Sequence, residues 1–105
     1  MSDHGIPTTD VHGVPTPLTP DAVVLDVRED HEWEAGHIDG AVHIPLGDLP
    51  ARVGELDPQA TTYVVCHLGG RSARATQWLQ GQGHDVTNVD GGMEAWEQAG
   101  LPIVR

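Results

Sequence analysis

At 105 residues the chain has room for one modest core and not for two. Sixteen acidic residues against five basic ones, all of them arginine, leave a formal net charge of −11, which argues against binding to a phosphate backbone, so nucleic acid is not an expected partner. With 38% hydrophobic and 20% charged residues, and no apolar run near the roughly 18 to 20 residues of a membrane helix, a soluble domain with no membrane partner is expected.

The opening stretch, MSDHGIPTTD, carries no basic region followed by an apolar one, so a cytoplasmic location is the expectation. Residues 1 to 20 hold four of the eight prolines, Pro7, Pro15, Pro17 and Pro20. That density rules against a helix and predicts a loose amino-terminal arm within the same folding unit, with room for an edge strand near Thr8 to Val11. The main domain is expected over residues 21 to 105.

Ala22 to Val27 is a short apolar run interrupted only by Asp26, as in a strand buried on both faces. EDHEWEAG follows, with acids first and Gly36 last, the charge order and terminator of a short helix. AVHIP, Ala41 to Pro45, reads as a second strand, and GDLPARVGEL as a short helical stretch with Pro50 in its first turn. Thr61 to His67 is β-branched and apolar, the strongest strand signal in the chain. A helix beginning near Ser72 places Ala75, Trp78 and Leu79 on one face and meets Gly81 or Gly83 as its stop. DVTNVDGG is a further strand and MEAWEQAG a last helix. Strand and helix alternate throughout, which predicts an α/β fold with a mostly parallel sheet and helices on both faces. Sites in such sheets gather at the carboxyl ends of the strands.

Cys66, the single cysteine, stands at one of those ends. Alone it makes no internal disulfide, and with no second thiolate it offers no zinc spacing, so neither a metal nor a cofactor is expected. Taken by itself a lone cysteine is more often a small core residue than a nucleophile. Its neighbours change that reading. Gly69 and Gly70 admit positive φ, Arg71 follows, and a helix begins within six residues. The amide hydrogens of His67, Leu68, Gly69, Gly70, Arg71 and Ser72 can then curl into an anion nest at a helix N-terminus. Such a nest favours thiolate over thiol, holds an anionic substrate, and needs a thiol that solvent can reach.

Four stretches, VVLDVRE, WEAGHIDGAVHIPL, VVCHLGGRSA and NVDGGMEAWEQAG, occur in the order and at the spacings of a known family. Over residues 22 to 105 the chain resembles a single-domain rhodanese, a sulfurtransferase. The resemblance implies a rhodanese-like fold with a central five-stranded sheet and a persulfide formed on Cys66. The loop is C-x4-R, with Cys66, Gly69 and Arg71 at the family's cysteine, glycine and final positions. The phosphatases that share the fold use a loop one residue longer, so a phosphatase or arsenate reductase is the weaker enzyme reading. Arg71 matches thiosulfate-type loops, while His67 departs from the arginine usual at the second position.

The expected reaction is attack of the Cys66 thiolate on the outer sulfur of thiosulfate, release of sulfite, and transfer of the sulfur to cyanide or a thiol. Arg71 either binds the donor's sulfonate or braces the loop. The alternative function is a non-catalytic or carrier module that delivers or senses persulfide sulfur with a protein partner.

Outside the loop, Asp26 and Arg28 end a strand on the same rim and are expected to fix nearby backbone and to form an ion pair. Asp90, Gly91 and Gly92 are expected to support the cysteine loop through close backbone approach. His37 and His43 are expected to hydrogen-bond locally rather than to join His67 around a metal. Trp33, Trp78 and Trp96 are expected in the core. Glu29, Asp30, Glu32 and Glu34 read as a solvated helix face, available to a basic partner.

Overall fold

The computed structural model describes residues 6–105, so the first five residues of the arm lie outside it. Five strands form one parallel sheet in the order β1-β5-β4-β2-β3, with β1 at Thr8–Thr9, β2 at Ala22–Asp26, β3 at Val42–His43, β4 at Thr61–Val65 and β5 at Asp85–Val89. The helices are α1, Asp30–Ala35; α2, Leu49–Arg52; α3, Gly70–Gly81; and α4, Gly92–Gln98. Each crossover between parallel neighbours has to leave the sheet, and the helical segments supply that path.

The three central strands alternate between two cores. Leu25, Val64 and Val86 pack on one face with Leu49 of α2 and Ala75 and Leu79 of α3. Val24, Val65 and Val89 pack on the other with Met93 and Trp96 of α4, joined by Val11 and Ile38. The side-chain period of two along a strand sends adjacent valines to opposite faces. That double burial is why β2 and β4 read as apolar runs without polar alternation.

The expected edge strand in the arm is present as β1, shorter than the Thr8 to Val11 expected. Asn88 N–H donates to Pro7 O and Asp90 N–H to Thr9 O, both at 2.8 Å. Val11–Gly13 then turns into a 3₁₀ helix, with the Asp10 side chain accepting the His12 N–H.

Three expectations need correction. The stretch from Gly47 to Leu56 is not one helix: 3₁₀ turns at Leu46–Asp48 and Val53–Glu55 flank the four-residue α2. Glycines at 47 and 54 lower the helix propensity at both ends, and the segment is too short to offset them. Helix α3 begins at Gly70, two residues before Ser72, so its first turn lies inside the cysteine loop. Trp33 belongs to neither core. Its ring stacks against His37 at a centroid distance of 3.6 Å and against His43 of the edge strand β3 at 4.8 Å, so the indole packs on two imidazoles at the sheet edge and in neither apolar core. Trp96 is in the core and Trp78 packs half-buried at its margin.

Candidate active site

Strand β4 pairs with β2 on one side and β5 on the other, and Val65 lies opposite Asp26. The next residue, Cys66, therefore leaves the middle of the sheet at its carboxyl edge. The chain then makes a tight loop, His67 to Gly69, and enters α3. Gly69 is its N-cap, with φ +127°, a conformation that side-chain-bearing residues rarely adopt. The turn brings the Gly69 N–H back over the sulfur, donating to Cys66 Sγ at 3.0 Å. Ser72 Oγ lies 3.4 Å from the same sulfur.

Burial pushes the Cys66 thiol up, but the Ser72 hydroxyl and the amides of Ser72, Gly69 and Leu68 pull it down by more, so its net pKa lies below the ordinary thiol value. These donors come from both halves of the loop. With α3 starting at Gly70, the Ser72 amide lies in its first turn, among the N–H groups that have no partner within the helix.

The carboxyl side of the sheet holds the loop from below. Met93 N–H donates to Cys66 O at 2.8 Å and Glu94 N–H to His67 O at 3.0 Å, so the first turn of α4 uses its free amides on the loop's carbonyls. Gly92, at φ +53°, lies so close that a Cβ there would strike Cys66 O and come within 2.7 Å of His67 O. Gly91 precedes it with φ +83°, and Asp90 lies beside Gly69, its carboxylate within contact distance of a Cβ built there.

Arg71 pairs with Glu32 of α1. Its Nη1 donates to Glu32 Oε1 at 2.7 Å and its Nη2 to Glu32 Oε2 at 2.9 Å. The Arg71 guanidinium, outweighing the effect of burial, holds the Glu32 carboxyl down at about 2. Glu32 thus leaves the solvated face expected of it and ties α1 to the cysteine loop, while also accepting the Glu29 N–H at 2.9 Å.

Asp26 and Arg28 form a buried pair. Arg28 Nη2 donates to Asp26 Oδ2 at 2.8 Å, its backbone N–H donates to Asp26 Oδ1 at 3.0 Å, and Nη2 also reaches Gly36 O at 2.8 Å. These bonds fix the turn after β2 and tie it to the end of α1. His67 is exposed, 3.8 Å from Glu94 Oε1, and Leu68 is 58% exposed at the loop tip. His43 Nε2 lies 2.8 Å from Arg28 O and His37 Nδ1 2.8 Å from Trp33 O, so neither ring converges on His67.

One expectation about the thiol fails. Cys66 is only 1% exposed, where a nucleophile at a strand end was expected to face solvent. The same amide contacts that favour the thiolate draw the sulfur under the loop, beneath exposed His67, Leu68 and Gly70. Two residues of this arrangement escaped the sequence reading, Glu32 and Asn88. Asn88 Oδ1 lies 2.6 Å from Ser72 Oγ. Its signal was present as a polar residue at an inward parity of β5, two positions from buried Val86. Glu32 had no local signal, since its partner is 39 positions away.

A family model described as the rhodanese-like domain matches residues 16–99. The chain belongs to the rhodanese-like family. A thiosulfate sulfurtransferase, GlpE, of Pseudomonas putida is 43% identical over 76 residues, a match that covers 71% of this chain and 69% of that protein. YrkF of Bacillus subtilis, provisionally named a sulfur carrier protein, is 46% identical over 74 residues, which are 70% of this chain and 40% of YrkF, so the rhodanese-like chain spans less than half of that relative's length. The solved structure of SSP1007 from Staphylococcus saprophyticus superposes with a TM-score of 0.83 at 31% identity, covering 92% of this chain and 99% of that one. The five-stranded parallel sheet with its helices matches these rhodanese-like neighbours.

Proposed function

We propose that this rhodanese-like domain is a cytoplasmic sulfurtransferase that takes sulfane sulfur from thiosulfate and passes it to cyanide or a thiol through a persulfide on Cys66. The observation that carries the reading is the contact between the Gly69 N–H and Cys66 Sγ at 3.0 Å, in a loop whose further amides also favour the thiolate. The Cys66 thiolate attacks the outer sulfur of thiosulfate, a new S–S bond forms, the bond to the sulfonate sulfur breaks, and sulfite leaves with its electron pair. The persulfide anion takes the thiolate's place against the amides of Leu68 to Ser72. An acceptor then attacks the terminal sulfur, and Cys66 departs as thiolate. Two half-reactions on one sulfur require ping-pong kinetics.

Substrate contact in this reading falls to the amides of His67, Leu68, Gly69, Gly70, Arg71 and Ser72. Arg71 serves as a brace through Glu32, and Asp26, Arg28, Asp90, Gly91 and Gly92 serve to hold the loop. The test is the intact mass of the protein after incubation with thiosulfate. A gain of one sulfur atom, lost in Cys66→Ser, supports the transferase, and turnover of an aryl phosphate without such a gain would replace it by a phosphatase.

The burial of Cys66 under exposed Leu68 favours one second reading, a carrier module that exchanges sulfur only against a docked protein. Its outcome in the same experiment is distinct: no gain from thiosulfate alone, and a gain once a persulfidated partner protein is added.

A further inference from the structure

Ser72 Oγ sits between three groups. It lies 2.6 Å from Asn88 Oδ1, 3.0 Å from Gly69 O and 3.4 Å from Cys66 Sγ. All of these residues are buried. A serine hydroxyl has a single proton and two lone pairs, so it cannot donate to all three neighbours. Gly69 O already accepts the Ala73 N–H at 3.0 Å. Gly69 O keeps a second lone pair and is open to the serine proton in either state of the thiol, so the destinations that differ between thiol and thiolate are the amide on β5 and the sulfur.

With Cys66 protonated, the directions form a chain: the S–H donates to Ser72 Oγ, and the Ser72 O–H donates to Asn88 Oδ1. A separation of 2.6 Å suits an O–H···O bond and is short for N–H···O. When the thiol proton leaves to solvent, the sulfur, already accepting from Gly69 N–H, becomes an acceptor toward Ser72 as well. The Ser72 hydroxyl then turns to it, and its lone pairs face Asn88 Oδ1 with no proton between them. An aspartate at this position would be trapped there, but an asparagine can turn its amide over and present Nδ2–H to Ser72 Oγ.

We propose that Asn88 is a positioning residue for Cys66, its amide reversing orientation so that the one Ser72 proton serves Asn88 Oδ1 beside the thiol and the sulfur beside the thiolate. This rests on the reading of Cys66 as the reacting sulfur, and it extends the anion cradle to a side chain on a neighbouring strand. The other charged and titratable groups around the triad are Arg71, held by Glu32 of α1; Asp90 beside Gly69; and His67 with Glu94 of α4. The Asp26 and Arg28 pair at the end of β2 is buried and bonds to itself and to Gly36 O. None of these groups hydrogen-bonds to Ser72 Oγ, so removal of the Ser72 hydroxyl abolishes the relay while their fields on Cys66 persist.

The test follows the Asn88 side-chain amide by NMR in the wild-type protein, free of any sulfur donor, while the thiolate is followed by its ultraviolet absorbance. The Asn88 resonances are expected to move with the same midpoint as Cys66, to stay flat in Cys66→Ser, and to lose that movement in Ser72→Ala. Resonances that stay flat through the Cys66 titration of the wild type would overturn the proposal. Asn88→Asp gives an independent reading, since an acceptor-only side chain fixes the serine proton away from the sulfur. It is expected to raise the Cys66 midpoint by about one unit or more, roughly tenfold less thiolate below the midpoint, and to lose about half or more of that shift in a Ser72→Ala background. Equal shifts in both backgrounds would mean charge repulsion alone and would sink the relay. Neither measurement uses thiosulfate, so a failed relay leaves persulfide formation standing, and a failed sulfur gain leaves the relay standing.

Discussion

Arg71 and Glu32 are joined by two parallel hydrogen bonds, at 2.7 and 2.9 Å, that connect the first turn of α3 to α1. A bidentate guanidinium–carboxylate pair fixes orientation as well as distance. It therefore ties the orientation of α3 at the cysteine loop to α1, and it commits two of the five guanidinium N–H groups to Glu32.

The pair has a pH signature. Glu32 has its pKa held down at about 2 from an ordinary 4.5, chiefly by Arg71. A carboxyl whose folded value is depressed stabilises the fold fully above its unfolded value, and that contribution is lost as pH falls from about 4.5 toward about 2. Partial solvent exposure of both side chains discounts the effect to about 1 kcal/mol. Urea denaturation is expected to find Glu32→Gln less stable than wild type by about that amount at neutral pH, with the difference shrinking below pH 4.5. A difference that is constant down to acid pH would assign the loss to packing instead.

Cys66 combines a favoured thiolate with a sulfur that solvent scarcely reaches. Those two properties separate by reagent size. Alkylation by iodoacetamide is expected to rise with pH to a plateau whose midpoint lies below that of a free thiol, since the thiolate is the reacting form. A bulky aromatic disulfide is expected to react at least ~10-fold more slowly relative to the same reagent on a free thiol, because it has to displace the residues over the sulfur. A midpoint at or above the free-thiol value would show that burial outweighs the amide donors.

Much of this architecture was legible because it is local. Alternating short apolar runs and glycine-terminated helices carried the parallel sheet, and the strand end followed by Gly69, Gly70 and Arg71 carried the loop. What escaped depends on contacts between distant segments. Glu32 looks like any exposed acid until α1 is set against α3, and the burial of Cys66 follows from how tightly Gly69 closes the loop. Trp33 misled for a similar reason: its cover comes from two histidines, His37 just past α1 and His43 on the edge strand β3, and the second of these is near only once the chain is folded.

Gly92 is the point where α4 presses on the cysteine loop. A Cβ there would meet Cys66 O and His67 O at closer than contact distance, and the residue's φ is +53°. Gly92→Ala is expected to cost about 2 to 3 kcal/mol in urea denaturation, because backbone on both sides of the clash has to move. Met93 N–H and Glu94 N–H would move with it, away from the carbonyls they hold. Sulfur gain from thiosulfate should fall by more than the folded fraction does. A variant that is fully folded with unchanged gain would show that the loop does not depend on this support.

The charge of the whole molecule opposes the anionic donor that the loop is proposed to take. A net charge of −11 repels a dianion, and with Arg71 paired to Glu32 the attraction on which this reading relies is that of the backbone amides. Distant and near fields respond differently to salt. The Debye length is about 8 Å at physiological ionic strength, so the dispersed acids are screened while hydrogen bonds inside the loop are not. Turnover of thiosulfate, measured as kcat/KM, is therefore expected to rise as an inert salt is raised from about 20 to about 200 mM, the range over which screening of surface charge sets in. A steady fall would mean that the loop's own field extends beyond its amides, or that the added anion occupies the nest. The choice between those two would rest on whether the fall follows the identity of the anion or only the ionic strength. Glu32→Gln sharpens the comparison, because it releases the Arg71 guanidinium near the loop, and its thiosulfate turnover should rise less with salt than that of the wild type.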